Sequence, residues 1–352
     1  MPEDKSTLLI AADERILITG ATGFIGRRVV QALLDRGFRN LACFARPSRD
    51  RSELKAVIER RPSGAEIEVQ EGNLLFAEDC EQATRNTAVI YHLAAGTKAK
   101  GFDEAFQNSV TTTRTLLDAA LRHGCLKRFV NVSSFAVYTN RNKPQPDLLD
   151  ESCPIEEQPE LRGEAYCFAK VKQEQLVSEY GQKHGIPFVL VRPGVVYGPG
   201  NTGITWRVGS GALGIFLHLG NSNVIPFTYV DNCADAIVLA GLQPGVEGQV
   251  FNVVDDDLPT SRQFLRLYKK NVRALTSIPL PRAVSHVLCL VWEKCSAWSG
   301  GKLPPVVNRR AWYAYWKGST YTNAKLKKLL GWAPRVSTAE GLQRYFEACR
   351  QV

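Results

Sequence analysis

The 352-residue sequence predicts an α/β fold in which a doubly wound parallel sheet carries a smaller, mostly helical C-terminal lobe. The front half alternates short β-branched runs with helical patterns, which is typical of a parallel sheet with helices on both faces. After Arg192 this alternation breaks, and residues 196–225 are rich in Gly and Asn. Five of the six tryptophans follow residue 290, so we expect an irregular, aromatic lobe to lie over the sheet.

The individual elements follow from the spacing of the apolar residues. Strands are predicted at Arg15–Thr19, Leu41–Ala45, Ile67–Gln70, Ala88–His92, Arg128–Ser133 and Phe188–Arg192. Helices are predicted at Gly26–Asp35, Thr111–His123 and Glu164–His184, and each is followed by a glycine that favours a helix end: Gly37, Gly124 and Gly185. A strand and a helix are predicted within Thr228–Ala240, and a last strand at Val250–Val254.

The composition limits the class of protein. Nine cysteines without a CxxC pair and five dispersed histidines predict reduced thiols and no metal site. The sequence begins without the apolar run of a secretory signal, and the apolar stretch Val284–Trp292 is too short for a membrane span of about 20 residues. We therefore expect a cytoplasmic protein without a transmembrane segment.

The formal net charge of +9 indicates an anionic partner. Nucleic acid, an anionic membrane surface and small anionic ligands such as a dinucleotide phosphate all fit this charge. The best nucleic-acid candidate is the stretch Arg309–Lys317, which interleaves basic and aromatic residues. Because no recognisable nucleic-acid module accompanies it, we interpret it as a half-buried surface element and predict no nucleic-acid partner.

A glycine-rich turn follows the first predicted strand and opens the first helix, and it reads Gly20-Ala-Thr-Gly-Phe-Ile-Gly26. One glycine permits the tight turn, one lets the backbone approach a pyrophosphate, and one allows close packing of helix on strand. The helix N-terminus then presents free N–H groups to the phosphates. This placement predicts a Rossmann-type sheet whose cofactor-binding turn consists of Gly20, Thr22, Gly23, Phe24, Ile25 and Gly26.

The end of the second strand bears on the choice between NAD(H) and NADP(H). An acidic residue there binds the ribose hydroxyls of NAD, whereas an arginine pairs with the 2′-phosphate of NADP. The chain has Arg46 at this point and no carboxylate before Asp50. Because a guanidinium grips a phosphate that a carboxylate would repel, the sequence favours NADP(H) over NAD(H).

Tyr166 and Lys170 lie four residues apart early in a predicted helix, so their side chains share one face. A free tyrosine has a pKa of about 10, and lowering it to about 7 takes about 4 kcal/mol of differential stabilisation. A neighbouring ammonium and a positively charged nicotinamide ring jointly supply such stabilisation. The strand that ends in Ser133 and Ser134 brings hydroxyls to the carboxyl edge of the sheet, where open α/β folds bind ligands.

Five motifs together resemble the extended short-chain dehydrogenases/reductases over about residues 14 to 345. They are the glycine turn, His92-Leu-Ala-Ala95, the Ser133-Ser134 pair before Val137-Tyr138, Tyr166 with Lys170, and Arg192-Pro-Gly-Val-Val-Tyr-Gly-Pro199. That group includes nucleotide-sugar epimerases and dehydratases, dihydroflavonol reductases and 3β-hydroxysteroid dehydrogenases. The resemblance implies an NAD(P)-dependent enzyme with a small-molecule substrate and, since many members are dimers, a homodimer.

The resemblance also assigns roles to single residues. It makes Tyr166 the general acid/base, Lys170 its partner on the nicotinamide ribose, and Ser134, with Ser133 as the alternative, the donor to the substrate oxygen. Asn108 matches an asparagine that supports the active site. The remaining implied cofactor contacts are Asn73 and Leu74 near the adenine, Leu93, Ala94 and Ala95 along the adenosine and ribose, and Pro193 and Gly194 beside the nicotinamide. Residues 12–195 and about 226–254 would form the dinucleotide-binding domain, and residues 196–225 and 255–352 the substrate-binding lobe.

Three functions are compatible with these residues. The first, which we favour, is a dehydrogenase or reductase that transfers a hydride between nicotinamide and a secondary alcohol or ketone, with a lipophilic or sterol-like substrate. Its support is the stretch Val284–Trp292, which is similar to the apolar helix of sterol-type members. Such a helix docks on a membrane, caps an apolar pocket, or is a plain core helix.

The second function is a nucleotide-sugar epimerase or dehydratase, which Tyr197-Gly-Pro-Gly200 and Tyr229-Val-Asp231 resemble. Such enzymes commonly carry an Arg-Asp pair where this chain has Val224-Ile-Pro-Phe227, and they work from bound NAD, whereas Arg46 fits exchangeable NADPH. The third function is a non-catalytic dinucleotide-binding regulator. Such regulators typically lose the tyrosine or the lysine, and both are present here.

Overall fold

The computed structural model describes residues 8–60, 63–97, 99–141, 148–212, 214–300, 302–303 and 307–351. The first residues of the chain, on which the expectation about a secretory signal rests, lie outside this range. In chain order the strands are β1 Arg15–Thr19, β2 Asn40–Ala45, β3 Glu66–Glu71, β4 Thr87–His92, β5 Arg128–Val132, β6 Leu148–Leu149, β7 Phe188–Pro193, β8 Val195–Tyr197, β9 Gly209–Ala212, β10 Ile215–His218, β11 Phe227–Tyr229, β12 Val250–Val253, β13 Ser277–Pro279 and β14 Thr320–Tyr321.

The helices surround the strands and complete the lobe. They are α1 Gly26–Asp35, α2 Ser52–Glu59, α3 Ala77–Thr84, α4 Phe102–Phe106, α5 Thr112–His123, α6 Ala165–His184, α7 Val230–Leu242, α8 Ser261–Asn271, α9 Arg282–Trp298, α10 Arg309–Tyr315, α11 Ala324–Leu330 and α12 Thr338–Arg350. A π-helical turn, Gln107–Thr111, joins α4 to α5. Short 3-10 turns stand at Phe135–Val137 and Pro159–Arg162.

A seven-stranded parallel sheet organises the molecule, with the strand order β12-β7-β5-β4-β1-β2-β3. Alternate residues of β1 face opposite layers, since side chains alternate along a strand. Ile16 and Ile18 pack with α1 and α7, whereas Leu17 packs with α3, α5 and α6. The predicted α/β class with a doubly wound parallel sheet is confirmed.

The order of connection reverses between β1 and β4, because β1 pairs with β2 on one side and with β4 on the other. In an open α/β sheet, ligands bind beyond the carboxyl ends of the strands at such a reversal. Every predicted site residue in the front half follows the end of one of these strands or lies on a neighbouring helix. The topology therefore places the predicted site residues together at the carboxyl edge of the sheet.

Several predicted boundaries differ from the structure by one residue, and two of these differences have a local cause. The strand predicted to include Ser133 ends at Val132, because Ser134 caps the 3-10 turn with its hydroxyl oxygen, which accepts from the Ala136 N–H at 3.1 Å. The helix predicted from Thr111 starts at Thr112, because the residues before it form the π-helical turn. Residues 196–225, for which no element was predicted, contain β8, β9 and β10.

The C-terminal part combines a small sheet with helices. Strands β13, β10 and β9 form that sheet, and α8 and α12 pack on the β8–β11 pair through aromatic residues such as Phe264 and Tyr345. Helix α11 instead packs on the main sheet, because Leu326 and Leu330 share a core with α1 and α7. Among the described residues no helix is long and apolar enough to cross a membrane.

Candidate active site

The glycine turn has a geometry that only glycine allows at two points. Gly20 has a φ of +72°, and a Cβ on Gly26 would lie 2.1 Å from the Gly20 carbonyl oxygen. The Gly23 N–H donates to that same oxygen at 2.9 Å, which closes the turn. A Cβ on Gly20 would lie 3.0 Å from the Ala94 nitrogen. The structure thus places the turn against the Leu93–Ala95 segment. The turn and this segment were predicted to contact the same cofactor.

The ends of β2 and β3 lie on the adenosine side of this turn. Phe44 pairs in register with Thr19, so Arg46, two residues further, stands beside the turn. The Arg46 side chain is exposed, and its guanidinium has no acceptor among the described residues. Asn73 is half-buried next to the buried Leu74. Its Oδ1 accepts from the Leu75 N–H at 3.1 Å, so this amide already shapes the local turn.

Tyr166 and Ser134 lie side by side at the carboxyl edge of the sheet. Tyr166 is half-buried in the first turn of α6. Burial raises the pKa of the Tyr166 phenol, while its hydrogen-bonding interaction with the Ser134 side chain opposes that rise. Ser133 is buried, and its hydroxyl has no partner among the described residues. Of the two serines, Ser134 is therefore the one that faces Tyr166.

Lys170 follows Tyr166 by one helical turn and is 3% exposed. Its Nζ donates to the Val132 carbonyl at 2.6 Å and to Gln173 Oε1 at 2.8 Å. Among the described residues it has no carboxylate at ion-pair distance. Burial lowers the pKa of the Lys170 ammonium to about 8, although the Glu174 carboxylate acts in the opposite direction. An ammonium held this way has a proton that is easily exchanged near neutral pH.

A buried chain of hydrogen bonds connects Lys170 to the glycine turn. Gln173 Nε2 donates to Thr113 Oγ1 at 2.8 Å, and Thr113 in turn donates to the Ser109 carbonyl at 2.5 Å. His92 lies 2.8 Å from Thr113 through Nε2 and 2.8 Å from the Thr19 hydroxyl through Nδ1.

The direction of this chain follows from its donors. Burial, with the Lys170 charge, lowers the pKa of His92 to about 3, so the ring is neutral and has one N–H. Because the Thr113 hydrogen goes to Ser109, His92 donates through Nε2 and accepts from Thr19 through Nδ1. Thr19 directly precedes Gly20, so the lysine and the cofactor turn share one polar network.

The remaining predicted residues surround this centre. Asn108 lies in the π-helical turn. A Cβ added to Gly96 would lie 3.0 Å from the Asn108 Cβ. Pro193 ends β7, and a Cβ on Gly194 would lie 2.1 Å from the Pro226 carbonyl oxygen. The backbone at Gly194 therefore passes close to β11, which requires glycine at this position.

These features fit a nicotinamide dinucleotide. The glycine turn lies against the Leu93–Ala95 segment and opens α1, Lys170 is a buried cation with no carboxylate at ion-pair distance among the described residues, and Arg46 is an exposed guanidinium beside the turn. A dinucleotide supplies a pyrophosphate for the turn and ribose hydroxyls for a lysine.

Comparison with known proteins agrees with this geometry. A sequence model described as the NAD dependent epimerase/dehydratase family matches residues 16–253. The chain belongs to this family. It is therefore an enzyme that uses a nicotinamide dinucleotide, and the resemblance to extended short-chain dehydrogenases/reductases is confirmed.

Relatives within the family match nearly the whole chain. A ketoreductase of Stigmatella aurantiaca, named for 4-hydroxy-2-methyl-3-oxo-4-farnesyl-3,4-dihydroquinoline-1-oxide, is 27% identical over 95% of this chain and 96% of its own length. The sterol-4-alpha-carboxylate 3-dehydrogenase, decarboxylating, of Saccharomyces cerevisiae is 28% identical over 94% and 96%. The solved UDP-glucuronic acid 4-epimerase of Bacillus cereus has a TM-score of 0.70 at 22% identity over 96% and 99%, a likeness that shows the fold alone.

Our interpretation of the sequence did not single out Gln173 or Thr113. Gln173 is fully buried and is the side chain that holds the Lys170 ammonium. Its spacing of three residues from Lys170 on a helix was a usable signal, because such residues are neighbours. Thr113 carried no comparable signal, since its link to His92 depends on the packing of α5 against β4.

The stretch predicted as a half-buried surface element forms α10. Trp312 and Trp316 are buried, while Arg309 pairs with Glu293 at 3.1 Å and Arg310 with Glu156 at 2.6 Å. The aromatic side chains thus belong to the packing of the lobe, and the two arginines have protein partners.

Proposed function

We propose that the protein is an NAD(P)-dependent dehydrogenase or reductase in which Tyr166, Ser134 and Lys170 act on a secondary alcohol or ketone. The observation that carries the proposal is that the Tyr166 phenol meets Ser134 while the buried Lys170, which has no carboxylate partner among the described residues, lies one turn away. A bound nicotinamide supplies or accepts the hydride. The division into a cofactor-binding domain, 12–195 with about 226–254, and a substrate lobe, 196–225 with 255–352, belongs to the same proposal.

Each residue has a defined task in this proposal. Ser134 donates to the substrate oxygen and stabilises its developing charge. Tyr166 gives its proton to that oxygen during reduction and takes it back during oxidation. Because burial raises the pKa of Tyr166, a positive charge is needed to lower it, and Lys170 provides that charge. Asn108 supports the site from the π-helical turn.

Substitution of Tyr166 by Phe tests this assignment. Tyr166→Phe keeps the ring and removes the acid, so we expect turnover to fall by about 10²–10⁴-fold while cofactor affinity stays unchanged. Turnover is measured by the absorbance of the reduced nicotinamide, and binding by its fluorescence. Tyr313→Phe, which alters a tyrosine of α10, serves as the control. Full turnover in Tyr166→Phe would contradict the assignment of Tyr166 as the acid/base.

A lipophilic ketone or alcohol is the substrate class that we favour over a nucleotide sugar. Two of the relatives that span the chain are named for a farnesyl-bearing compound and for a sterol. A cavity of about 230 Å³ adjoins Val195 and Val196, just after the proposed nicotinamide contacts. Its walls include the aromatic residues Tyr197, Phe227, Phe264 and Tyr345. Tight nucleotide retention through purification would instead favour an epimerase or dehydratase.

We infer that the cofactor is NADP(H) in preference to NAD(H). Support comes from Arg46, which is exposed beside the glycine turn and lacks an acceptor. Replacement by a carboxylate would repel the 2′-phosphate, so Arg46→Asp is expected to weaken NADPH binding by at least about tenfold and to leave NADH binding unchanged or improved. Fluorescence titration with both nucleotides measures this, with Arg49→Asp as the matched variant. An unaltered NADPH to NADH ratio would contradict the assignment.

We further propose contact with a membrane surface through α9. Five apolar side chains of this helix, at Val284, Val287, Leu288, Val291 and Trp298, are each at least 44% exposed. This finding does not fit a plain core helix.

The nine free cysteines support a reduced, cytoplasmic location. A homodimer, which the family resemblance implies, would have twice the 39.0 kDa mass in light scattering.

A further inference from the structure

Five Lys or Arg residues are buried in the described part of the chain, and they differ in their partners. Arg128, Arg162 and Arg192 pair with Glu247, Glu164 and Glu174, respectively. Lys170 and Arg207 have no carboxylate at ion-pair distance among the described residues, although they are only 3% and 8% exposed. Without a protein carboxylate, each of these two side chains keeps N–H donors that a ligand can engage.

Arg192 shows what a complete arginine site looks like in this molecule. Its guanidinium lies over the Tyr138 ring at 4.7 Å, and Nη1 donates to the Tyr138 hydroxyl at 2.9 Å. The Nε and Nη2 edge is occupied by the Glu174 carboxylate, with distances of 2.9 and 2.6 Å. This is the two-point arrangement that arginine and carboxylate prefer.

Arg207 has a related setting without a carboxylate, in which one tyrosine supplies the ring and a second one the hydroxyl. Its guanidinium lies over the Tyr315 ring at 5.1 Å, and Nη1 donates to the Tyr321 hydroxyl at 3.4 Å and to the Ala314 carbonyl at 3.3 Å. The Nε and Nη2 donors have no acceptor among the described residues. One guanidinium edge is therefore ready for a planar anion with two oxygens.

The position of Arg207 links it to the candidate active site. Tyr315 donates to Glu164 at 2.6 Å, and Glu164 precedes Tyr166 by two residues. The Tyr321 ring lies 5.7 Å from that of Phe135, which follows Ser134. One aromatic layer thus separates Arg207 from the segments that carry the phenol and the serine.

The charge around this layer also favours an anion. Arg162 lies over the same Tyr315 ring at 4.8 Å, and it shares Glu164 with the Tyr315 hydroxyl. Two guanidinium groups therefore flank one tyrosine, with a single carboxylate between them. Arg207, Arg162 and Glu164 together carry one positive charge next to Tyr315, which a monoanion would balance.

We propose that Arg207 binds a carboxylate of the substrate through its Nε and Nη2 edge, so that the substrate is an oxo or hydroxy acid with an apolar body. This inference rests on the proposed function for the reacting end of the substrate. The carboxylate end is an independent claim, because it depends on Arg207 and not on Tyr166.

Binding of simple lipophilic acids tests the proposal without turnover. The Trp206 and Trp316 rings, 5.2 Å apart, lie beside Arg207 and report binding by fluorescence. With protein saturated in NADP⁺, we expect decanoate to bind at least about tenfold more tightly than methyl decanoate, a ratio typical of a lost charged hydrogen-bonding partner. Arg207→Gln should abolish this ratio, and Arg207→Lys should keep part of it.

The controls separate this claim from folding and from the catalytic proposal. Arg273→Gln, an exposed arginine of the same lobe, should leave the ratio unchanged. Thermal melting checks the fold, and Arg207→Lys replaces the Gln variant if that variant melts early. Tyr166→Phe should bind decanoate like the wild type, so loss of turnover alone does not touch this inference. Equal affinity for decanoate and its ester in the wild type, or an unchanged ratio in Arg207→Gln, would overturn it, as would inorganic phosphate displacing decanoate at equal concentration.

Discussion

At the scale of single residues, unpaired buried cations are the most informative feature of this molecule. Residue type alone does not distinguish Lys170 or Arg207, because the chain has 44 Lys and Arg residues. Tyr166 with Lys170 was predictable because a helix places residues four apart on one face. Arg207 was not predictable, because the absence of a carboxylate depends on which strands and helices surround it. Sequence spacing reports local neighbours, whereas an unsatisfied charge is a property of the packed structure.

The depressed pKa of Lys170 predicts a pH-dependent stability. Burial lowers this pKa from 10.5 to about 8 in the folded chain. Between these values the unfolded chain holds a proton that the native state lacks, so the free energy of unfolding rises as pH increases from about 8 to 10.5. The full rise is about 3 kcal/mol. We expect Lys170→Met to lack it, as measured by urea unfolding of both proteins from pH 7 to 10.5.

Two variants make this measurement specific. Lys100→Met removes an exposed lysine and should keep the wild-type pH dependence. Gln173→Leu removes the acceptor of the Lys170 ammonium, which lowers the pKa of Lys170 further and moves the rise to lower pH. If the difference between wild type and Lys170→Met stays constant across this pH range, Lys170 is not desolvated as described.

At the scale of elements, the predictable parts of the fold are those with a local pattern. The strands β1 to β5 and β7 have continuous or, in β3, alternating apolar residues, and their predicted bounds differ from the structure by one residue at most at each end. Strand β9 contains Gly209 and Gly211, Gly214 directly precedes β10, and neither strand was predicted. The two strands form a local antiparallel hairpin, but β10 also pairs with β13, about 60 residues later in the chain, and no local pattern could indicate that second pairing.

The contact between α1 and β1 gives a prediction at this scale. A Cβ on Gly26 would lie 2.1 Å from the Gly20 oxygen, so Gly26→Ala must push α1 away from the turn. Overpacking of this kind costs typically 1–3 kcal/mol. We expect a lower melting temperature and at least about tenfold weaker nucleotide binding. Gly101→Ala, where a Cβ meets nothing within 4 Å, is the matched control. Unchanged nucleotide affinity in Gly26→Ala would show that this contact does not shape the cofactor site.

At the scale of the whole molecule, charge is divided unevenly along the chain. Residues 258–352 contain 17 of the 44 Lys and Arg residues but only 3 of the 35 Asp and Glu residues. The net charge of +9 therefore comes from the end of the chain that also carries α9. An exposed apolar stripe within a basic region is the combination that binds anionic membrane surfaces.

This combination predicts salt-sensitive binding to anionic vesicles. We expect the wild type to float with vesicles that contain equal phosphatidylglycerol and phosphatidylcholine at low salt, and to remain unbound with phosphatidylcholine alone. Val287 and Leu288 are 54% and 50% exposed, and burying such side chains contributes about 1.5–3 kcal/mol each. The double variant Val287→Asn, Leu288→Asn should therefore reduce flotation by more than tenfold, whereas Phe76→Asn, at a 60% exposed residue outside this region, should not. Because the two substitutions leave every charge in place, retained flotation of the double variant would mean that α9 does not enter the bilayer surface and that charge alone recruits the protein.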